Sequence, residues 1–359
     1  MSPTATAQRS PLPHEEPVMY FEAFKPRSTL VVDENPVTRA RFPFVDVHAH
    51  FFGAADMSDD QLEKLVGEMD AMNMAALVNL SGRSGQALRN SISTMEGYAP
   101  ERFVTFANVD FRGIDDPGWT EASVTQLEAD IRNGARGLKI YKNLGMEVRD
   151  SKGNRVRVDD ERIGPIWDLC GRLGVPVLIH TADPAPFWLP RDENNERWFE
   201  LKERPNRIRP SDQYPSWETI IGEQHNIFRR HSQTTFISAH MGWLGNDLAR
   251  LSDLLDELPN VYVEMGAVLA ELGRQPRTAK AFLERHKDRV LFGKDSYAPS
   301  EYHVYFRVLE TEDEYFDYYR QRHAHWKMYG LGLSDDALQH IYYKNALRII
   351  PGLDASLFE

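Results

Sequence analysis

From Phe42 onward, short apolar runs alternate with amphipathic stretches. The runs are FPFVDVH (42–48), AALVNL (75–80), FVTFANV (103–109), ARGLKIY (135–141), VPVLIH (175–180), TTFISAH (234–240), NVYVEMG (260–266) and RVLFGKD (289–295). Each is rich in Val, Ile, Phe or Leu and short enough to be a buried strand. Between them, DDQLEKLVGEMDAM (59–72) places Leu62, Leu65, Val66 and Met69 at helical spacing. WTEASVTQLEADIRNG (119–134), DERIGPIWDLCGRLG (160–174), NDLARLSDLLDEL (246–258) and RTAKAFLERH (277–286) repeat the pattern, the first ending on a glycine suited to a C-cap. Strands alternating with helices in this way predict an α/β fold, a (β/α)8 TIM barrel. The barrel domain is read as 41–359. Residues 1–40, rich in Pro, Ser, Thr and charge, read as an extended N-terminal arm suited to wrapping the barrel or a neighbouring subunit.

Two connections exceed plain barrel loops. Residues 181–233 follow the fifth strand and 296–333 follow the eighth. Both leave the C-terminal ends of strands, where barrel active sites sit and long loops act as lids. Packing of the insertions onto each other accounts for most of their Trp and Tyr.

Composition narrows the function classes. The formal net charge is -12 and the isoelectric point near 5.5, which argues against a nucleic-acid surface. Cys170 is the only cysteine, so an intramolecular disulfide and a cysteine-rich zinc module are excluded. Its apolar helical setting reads as a packed thiol. No apolar run approaches the roughly 20 residues that cross a bilayer, and the first residues lack a signal-peptide core. The expected setting is the cytoplasm, with a small-molecule substrate and neither nucleic acid nor membrane as partner.

The candidate chemistry lies at strand ends. Along FVDVHAHFF, His48 and His50 are neighbours on one face with Asp46 below them. Two imidazoles so placed can reach one ion, and neutral nitrogen suits zinc or another borderline metal. Three further apolar runs end in His180, His240 and Asp295. Burial of such a group without a partner costs several kcal/mol, and barrel strand ends converge on one axis.

With these residues in place, the chain resembles the amidohydrolase superfamily. The closer likeness is to its amidohydrolase-2 branch, which includes aminocarboxymuconate-semialdehyde decarboxylase, resorcylate-type decarboxylases and hydrolases of small lactones. DVHAHFFG, AHMGWL and IYYKNALRII (341–350) carry the likeness, which spans roughly 42 to 352. The resemblance implies one divalent ion, Zn2+ with Mn2+ as the alternative, held by His48, His50, His180 and Asp295. It implies His240 as general base or electrophile beside a metal-activated water, with Asp295 able to accept a proton. Two reactions fit: hydrolysis of a C–O or C–N bond in a small cyclic or carboxylated substrate, or non-oxidative decarboxylation of an aromatic or unsaturated acid. A non-catalytic metal-binding barrel is the third reading. A homodimer is compatible with the arm. The branch commonly carries Gly-Ser/Thr-Asp-Tyr/Trp-Pro at strand eight, where this chain reads Gly293-Lys294-Asp295-Ser296-Tyr297.

In ARGLKIYKN, Lys139 and Tyr141 share the face opposite Leu138 and Ile140. A lysine facing a barrel interior requires a partner, a modification or the barrel mouth. Lys139 could bridge a second metal as a carboxylated lysine, bind a substrate carboxylate beside Tyr141, or simply pair with Glu264. A second metal is the lesser expectation. Weaker candidates are Arg191, Arg197, Arg204, Arg207 and Arg209 as a carboxylate clamp, Trp188, Trp198 and Trp243 as pocket walls, and His303. His323-Ala-His325 is read as helical, where residues two apart diverge, and so not as a metal site.

Overall fold

The computed structural model describes residues 19–323 and 325–358. Its strands are β1 (Phe44–Ala49), β2 (Met74–Asn79), β3 (Phe103–Thr105, resuming as Ala107–Asn108), β4 (Leu138–Ile140), β5 (Val177–Ile179), β6 (Phe236–Ser238), β7 (Val261–Glu264) and β8 (Val290–Leu291). Neighbouring strands pair in parallel. At the break in β3, Phe106 N donates to Asn79 O (3.0 Å) and Ala107 N to Gly137 O (2.9 Å), which carries the ladder across. Val47 N to Phe292 O (3.0 Å) and Asp295 N to His48 O (2.7 Å) join the last strand to the first. The ring is closed, and the chain is a TIM barrel.

Apolar side chains form two layers. Val47, Val78, Phe106, Leu178, Ile237 and Leu291 belong to an inner cluster that also takes in Ala346 and Ile350. Phe44, Leu77, Phe103, Leu138, Val177 and Phe236 pack outward against the helices. Alternation along each strand produces this division.

The helices form where apolar spacing and caps agree. In Asp59–Met72, Ser58 and Gln61 make a reciprocal capping box, and Leu62, Leu65, Met69 and Met72 are buried. Asn73 closes the helix in the left-handed conformation (φ 69°). Gly85–Tyr98 is also helical, burying Leu88, Ser91 and Met95, a segment in which the sequence pattern did not mark a helix. Cys170 is buried as expected, and burial pushes its thiol up to about 12.

Residues Asp33–Glu359 form one compact unit. Within it, Asn35 binds the Asp313 carboxylate through its backbone N and its Nδ2 (both 2.7 Å). The span Met19–Val32 contains one short helical turn, Phe21–Ala23. The first 18 residues of the expected arm lie outside the described residues.

Both insertions are pinned by buried ion pairs. In the first, the Asp183 carboxylate takes Lys142 Nζ (2.5 Å) and Arg209 Nη2 (2.6 Å), while Arg197 is shared between Glu200 and Glu271. The second contains the helix Pro299–Glu310 and a bridge pairing Phe316 with Met328. His323 sits in a turn and His325 in a bend, not in the expected helix. His323 lies against Glu200 at 3.4 Å, a carboxylate that Arg197 and Arg207 also engage.

Two histidines away from the site make stability pH-dependent. Burial, reinforced by Arg250 and Arg229, lowers His225 to about 4; burial, reinforced by Arg197, lowers His323 to about 2. Below the ordinary value of 6.5 the unfolded chain takes up protons that the fold refuses. Stability is therefore complete above that value and falls by roughly 1.4 kcal/mol per pH unit per group as pH drops toward each folded value. Denaturant midpoints between pH 7.5 and 5 should decline on acidification, and His225→Gln should make the decline shallower. An unchanged slope in that variant would remove His225 from the account.

Candidate metal centre

β1 does not run straight into the site. Its pairing with β2 shifts register between Asp46 and Ala49, a bulge that re-aims side chains. Asp46 is wholly buried, and Oδ1 accepts from His48 N (2.9 Å) and Lys294 N (3.1 Å) while Oδ2 accepts from Tyr302 OH (2.5 Å). The expected Asp46 therefore lies beneath the pair, bracing the backbone.

Above it, His48 Nε2 and His50 Nε2 stand 3.2 Å apart, and Asp295 Oδ1 lies 3.4 and 3.6 Å from them. Ligand atoms around a tetrahedral ion are spaced about 3.3–3.6 Å for bonds of about 2.0–2.2 Å. The opposite ring nitrogens are engaged: His48 Nδ1 with Glu264 Oε1 (2.8 Å) and His50 Nδ1 with Ser81 Oγ (2.8 Å). These partners assign Nδ1–H tautomers, so two Nε2 lone pairs face each other beside a carboxylate. That arrangement is repulsive unless a cation lies between them; Lys139 Nζ, 3.4 Å from His48 Nε2, offsets only the His48 side. The donor set fits a divalent ion.

His180 joins through His240. Its Nδ1 is 3.3 Å from His240 Nε2, and its Nε2 is buried without a hydrogen-bond partner. His240 Nδ1 donates to Gly266 O (2.7 Å), which leaves His240 Nε2 to accept from His180. The lone pair of His180 Nε2 is thus also bare. The His240 ring stacks on Trp243, with centroids 4.5 Å apart.

Glu264 is the residue that the sequence pattern under-read. Wholly buried at the end of β7, its Oε1 accepts from His48 Nδ1 (2.8 Å) and His240 N (2.7 Å), and its Oε2 from Gly266 N (2.6 Å). It groups with His48 and His240 as a possible ligand set, yet N–H donors already occupy both oxygens. It is a brace for ligands. The signal was present, since NVYVEMG is an apolar run ending in a charge.

Lys139 Nζ is buried 3.4 Å from His48 Nε2 and 5.6 Å from the centre of the Tyr141 ring. Burial lowers its ammonium to about 8, while the charges of Glu264 and Asp295 oppose the fall. Tyr141 OH donates to Leu80 O (3.0 Å) and meets Ser81 Oγ (3.0 Å), completing a chain from His50. Burial and then Lys139 lower His50 to about 4; burial also holds His48 and His180 well below the ordinary range. Burial raises the Asp295 carboxyl, but its electrostatic pairing with the His48, His240 and His50 rings and with Lys139 outweighs this and holds the group low. Neutral imidazoles beside an ionised carboxylate are the protonation states a cation requires.

The departure at strand eight has a structural role. Lys294 turns away from the histidines, and its Nζ binds Glu301 and Ser296 O (2.5 Å). Arg320 Nη2 takes the same Glu301 carboxylate at 2.9 Å. Lys294 thus fastens the second insertion to β8.

The loops after β2, β5, β6, β7 and β8 each hold a non-glycine residue with positive φ: Arg83 (66°), Ala182 (62°), His240 (57°), Ala267 (58°) and Asp295 (84°). After β6 the conformation continues through Met241 and Trp243. Left-handed backbone costs roughly 1–2 kcal/mol per residue, and such strain gathers at functional sites.

Other candidates lie elsewhere. Trp188 Nε1 donates to Pro215 O (2.8 Å) within the first insertion, and Arg191 is exposed with Nη1 3.4 Å from Leu201 O. Lys202 lies over the Trp198 ring. His303 is half-buried on Pro299–Glu310, where burial lowers it. Arg197, Arg207 and Arg209 are engaged within the insertion by Glu200, Glu271 and Asp183.

The model of a protein family described as amidohydrolase matches residues 45–352. No curated protein matches the sequence. A TIM-barrel protein from Bordetella bronchiseptica is similar in structure, with a TM-score of 0.55, 16% identity, and 86% of this chain and 98% of that chain covered. A dihydroxybenzoic acid decarboxylase from Polaromonas sp. JS666, with bound manganese and 2-nitroresorcinol, has a TM-score of 0.53 and 15% identity over 88% and 99% of the two chains. The 4-oxalomesaconate hydratase of Rhodopseudomonas palustris has a TM-score of 0.51 and 14% identity over 88% and 97%. At these identities the likeness concerns the fold.

Proposed function

The chain belongs to the amidohydrolase family, and on that premise we propose that it is a metal-dependent hydrolase of a C–O or C–N bond in a small cyclic or carboxylated substrate. The observation that carries this reading is the convergence of His48 Nε2, His50 Nε2 and Asp295 Oδ1 within 3.2–3.6 Å of one another. We assign those three residues as ligands, with the bare Nε2 of His180 as the fourth. A divalent ion bound there supplies Lewis acidity and brings the pKa of water toward neutrality. We assign His240 as the proton acceptor: its Nε2 takes the His180 N–H in this structure and would exchange that contact for a substrate proton, while Trp243 and Gly266 fix its ring.

A second reading is decarboxylation, and Lys139 favours it. A buried ammonium beside the ligands, with Tyr141 alongside, is a receptor for a carboxylate. There the residues would hold the acid group while a proton is delivered to carbon.

One experiment tests the metal and separates the chemistries. Metal content is measured on purified protein, and activity toward lactones, amides and hydroxybenzoates is followed before and after removal of the ion with dipicolinate. The expected result is one ion per chain, activity lost on stripping and restored by Zn2+ or Mn2+. Incorporation of 18O from water into product marks hydrolysis, and release of CO2 marks decarboxylation. Two ions per chain would assign a bridging role to Lys139. Full activity in the stripped protein would overturn the reading.

A further inference from the structure

Trp243 closes the left-handed run after β6. Its indole stacks on His240 (28°, centroids 4.5 Å) and leans on His180 (54°, 5.8 Å). The ring face is therefore committed to the histidines, while the polar edge is not. Nε1 is buried and has no hydrogen-bond partner among the described residues. A buried indole N–H normally has an acceptor, so this donor calls for one.

Glu271, on the helix Leu269–Gly273, is the complement and is only 7% exposed. Its Oε1 takes Arg197 Nη2, which fastens the first insertion to that helix. The second insertion is tied to the same helix, since Trp326 Nε1 donates to Ala270 O (3.0 Å). Oε1 alone serves the ion pair with Arg197. Oε2 is buried and, like the indole N–H, without a partner among the described residues. An unpaired buried carboxylate oxygen beside an unpaired buried donor requires an explanation.

Trp243 and Glu271 line one cavity of about 20 Å3, with Pro184, Pro186, Glu196 and Val268 around it. Its walls are fixed: Gln275 Nε2 donates to Gly245 O (2.6 Å), and a Cβ on Gly245 would stand 3.5 Å from Glu271 Cβ. A space of that size admits one water, which needs polar neighbours such as these two.

We propose that one enclosed water joins the Trp243 indole N–H to Glu271 Oε2, and that Glu271 is thereby a positioning residue for His240. The link runs from Arg197 in the first insertion through Glu271, the water and Trp243 to the His240 ring. With its edge anchored, the indole holds its plane, and the imidazole stacked on it keeps the orientation that proton transfer demands. The inference rests on the reading of His240 as proton acceptor.

Two measurements test it. A crystal structure of the metal-loaded protein should show one water within hydrogen-bond distance of both Trp243 Nε1 and Glu271 Oε2; a water meeting only one of them, or none, would overturn the link. In kinetics, Trp243→Phe keeps a ring against His240 without the N–H, and Glu271→Ala removes the carboxylate. On whichever lactone, amide or hydroxybenzoate the parent turns over, each should lower kcat roughly tenfold, with KM and metal content within about twofold of the parent. The double variant should be no slower than the slower single, because both changes cut one link. Glu271→Gln, still able to hydrogen-bond the water, should recover most of the loss. Losses that multiply in the double variant, or parent-like kcat in Trp243→Phe, would sink the proposal. The NMR signal of the His240 Cε1 proton, lying over the indole, should shift in Glu271→Ala and return in Glu271→Gln. A signal that stays in place in Glu271→Ala counts against positioning. That signal needs no substrate, so it separates failure of the positioning role from failure of the proposed reaction.

Discussion

Glu264→Ala is expected to be the most damaging single change in the barrel. It removes the acceptor for His48 Nδ1, His240 N and Gly266 N, all at 2.6–2.8 Å in a fully buried setting. Each orphaned buried donor costs about 1–3 kcal/mol. Allowing for partial relaxation and entry of water, the expected loss is about 3–5 kcal/mol, read from denaturant midpoints. Metal affinity should fall as well, by roughly 10–100-fold, because His48 loses the group that fixes its tautomer. Glu264→Gln keeps the shape and one acceptor but sets an amide N–H against a backbone N–H. It should be less destabilised than the alanine variant and still bind metal more weakly than the parent. Parent-like stability in Glu264→Ala would refute the bracing role.

The second large effect separates metal holding from proton transfer. His48→Ala and Asp295→Ala each take away one of the converging donors, and both should purify with substoichiometric metal and no measurable turnover. His240→Ala should keep its ion, because none of the assigned ligand atoms belongs to it, while turnover falls by roughly 10²–10⁴-fold. Elemental analysis beside steady-state rates distinguishes the two patterns. Loss of the ion from His240→Ala would show that the His180 contact at 3.3 Å supports ligation, and the division of roles would fail.

The barrel was legible because its signal is redundant. Each strand is an apolar run, and β1 to β8 match the runs marked from 42 to 295 to within one residue. The helix Gly85–Tyr98 escaped because its polar content, with Ser, Asn, Gln and Gly, dilutes a stripe of Leu88, Ser91 and Met95. His48, His50 and Asp295 were legible for the same reason as the strands, as polar groups ending apolar runs. Glu264 had that signal too, but a carboxylate near a lysine suggested a plain ion pair. In the fold its oxygens face N–H groups of β1 and of the loops after β6 and β7.

What could not be read was set by backbone conformation and long-range pairing. Nothing in AHMGWL announces that His240 to Trp243 turn left-handed, since none but Gly242 favours it. Lys294 looked like an intrusion into the metal-binding motif until Glu301 and Arg320, from a distant insertion, showed where its charge goes.

The left-handed residues on the strand-end loops separate two parts of the molecule. Below them lies a closed parallel ladder with apolar filling, which contributes stability. At the rim, Ala182, His240, Met241, Ala267 and Asp295 hold the backbone away from its preferred conformations. Selection for robustness alone would relax that rim toward glycine and let the loops settle. The same relaxation would free the histidines to drift. This barrel should therefore show a trade-off between durability and turnover confined to one edge, and a search for hardier variants does best among the helices and the lower ring.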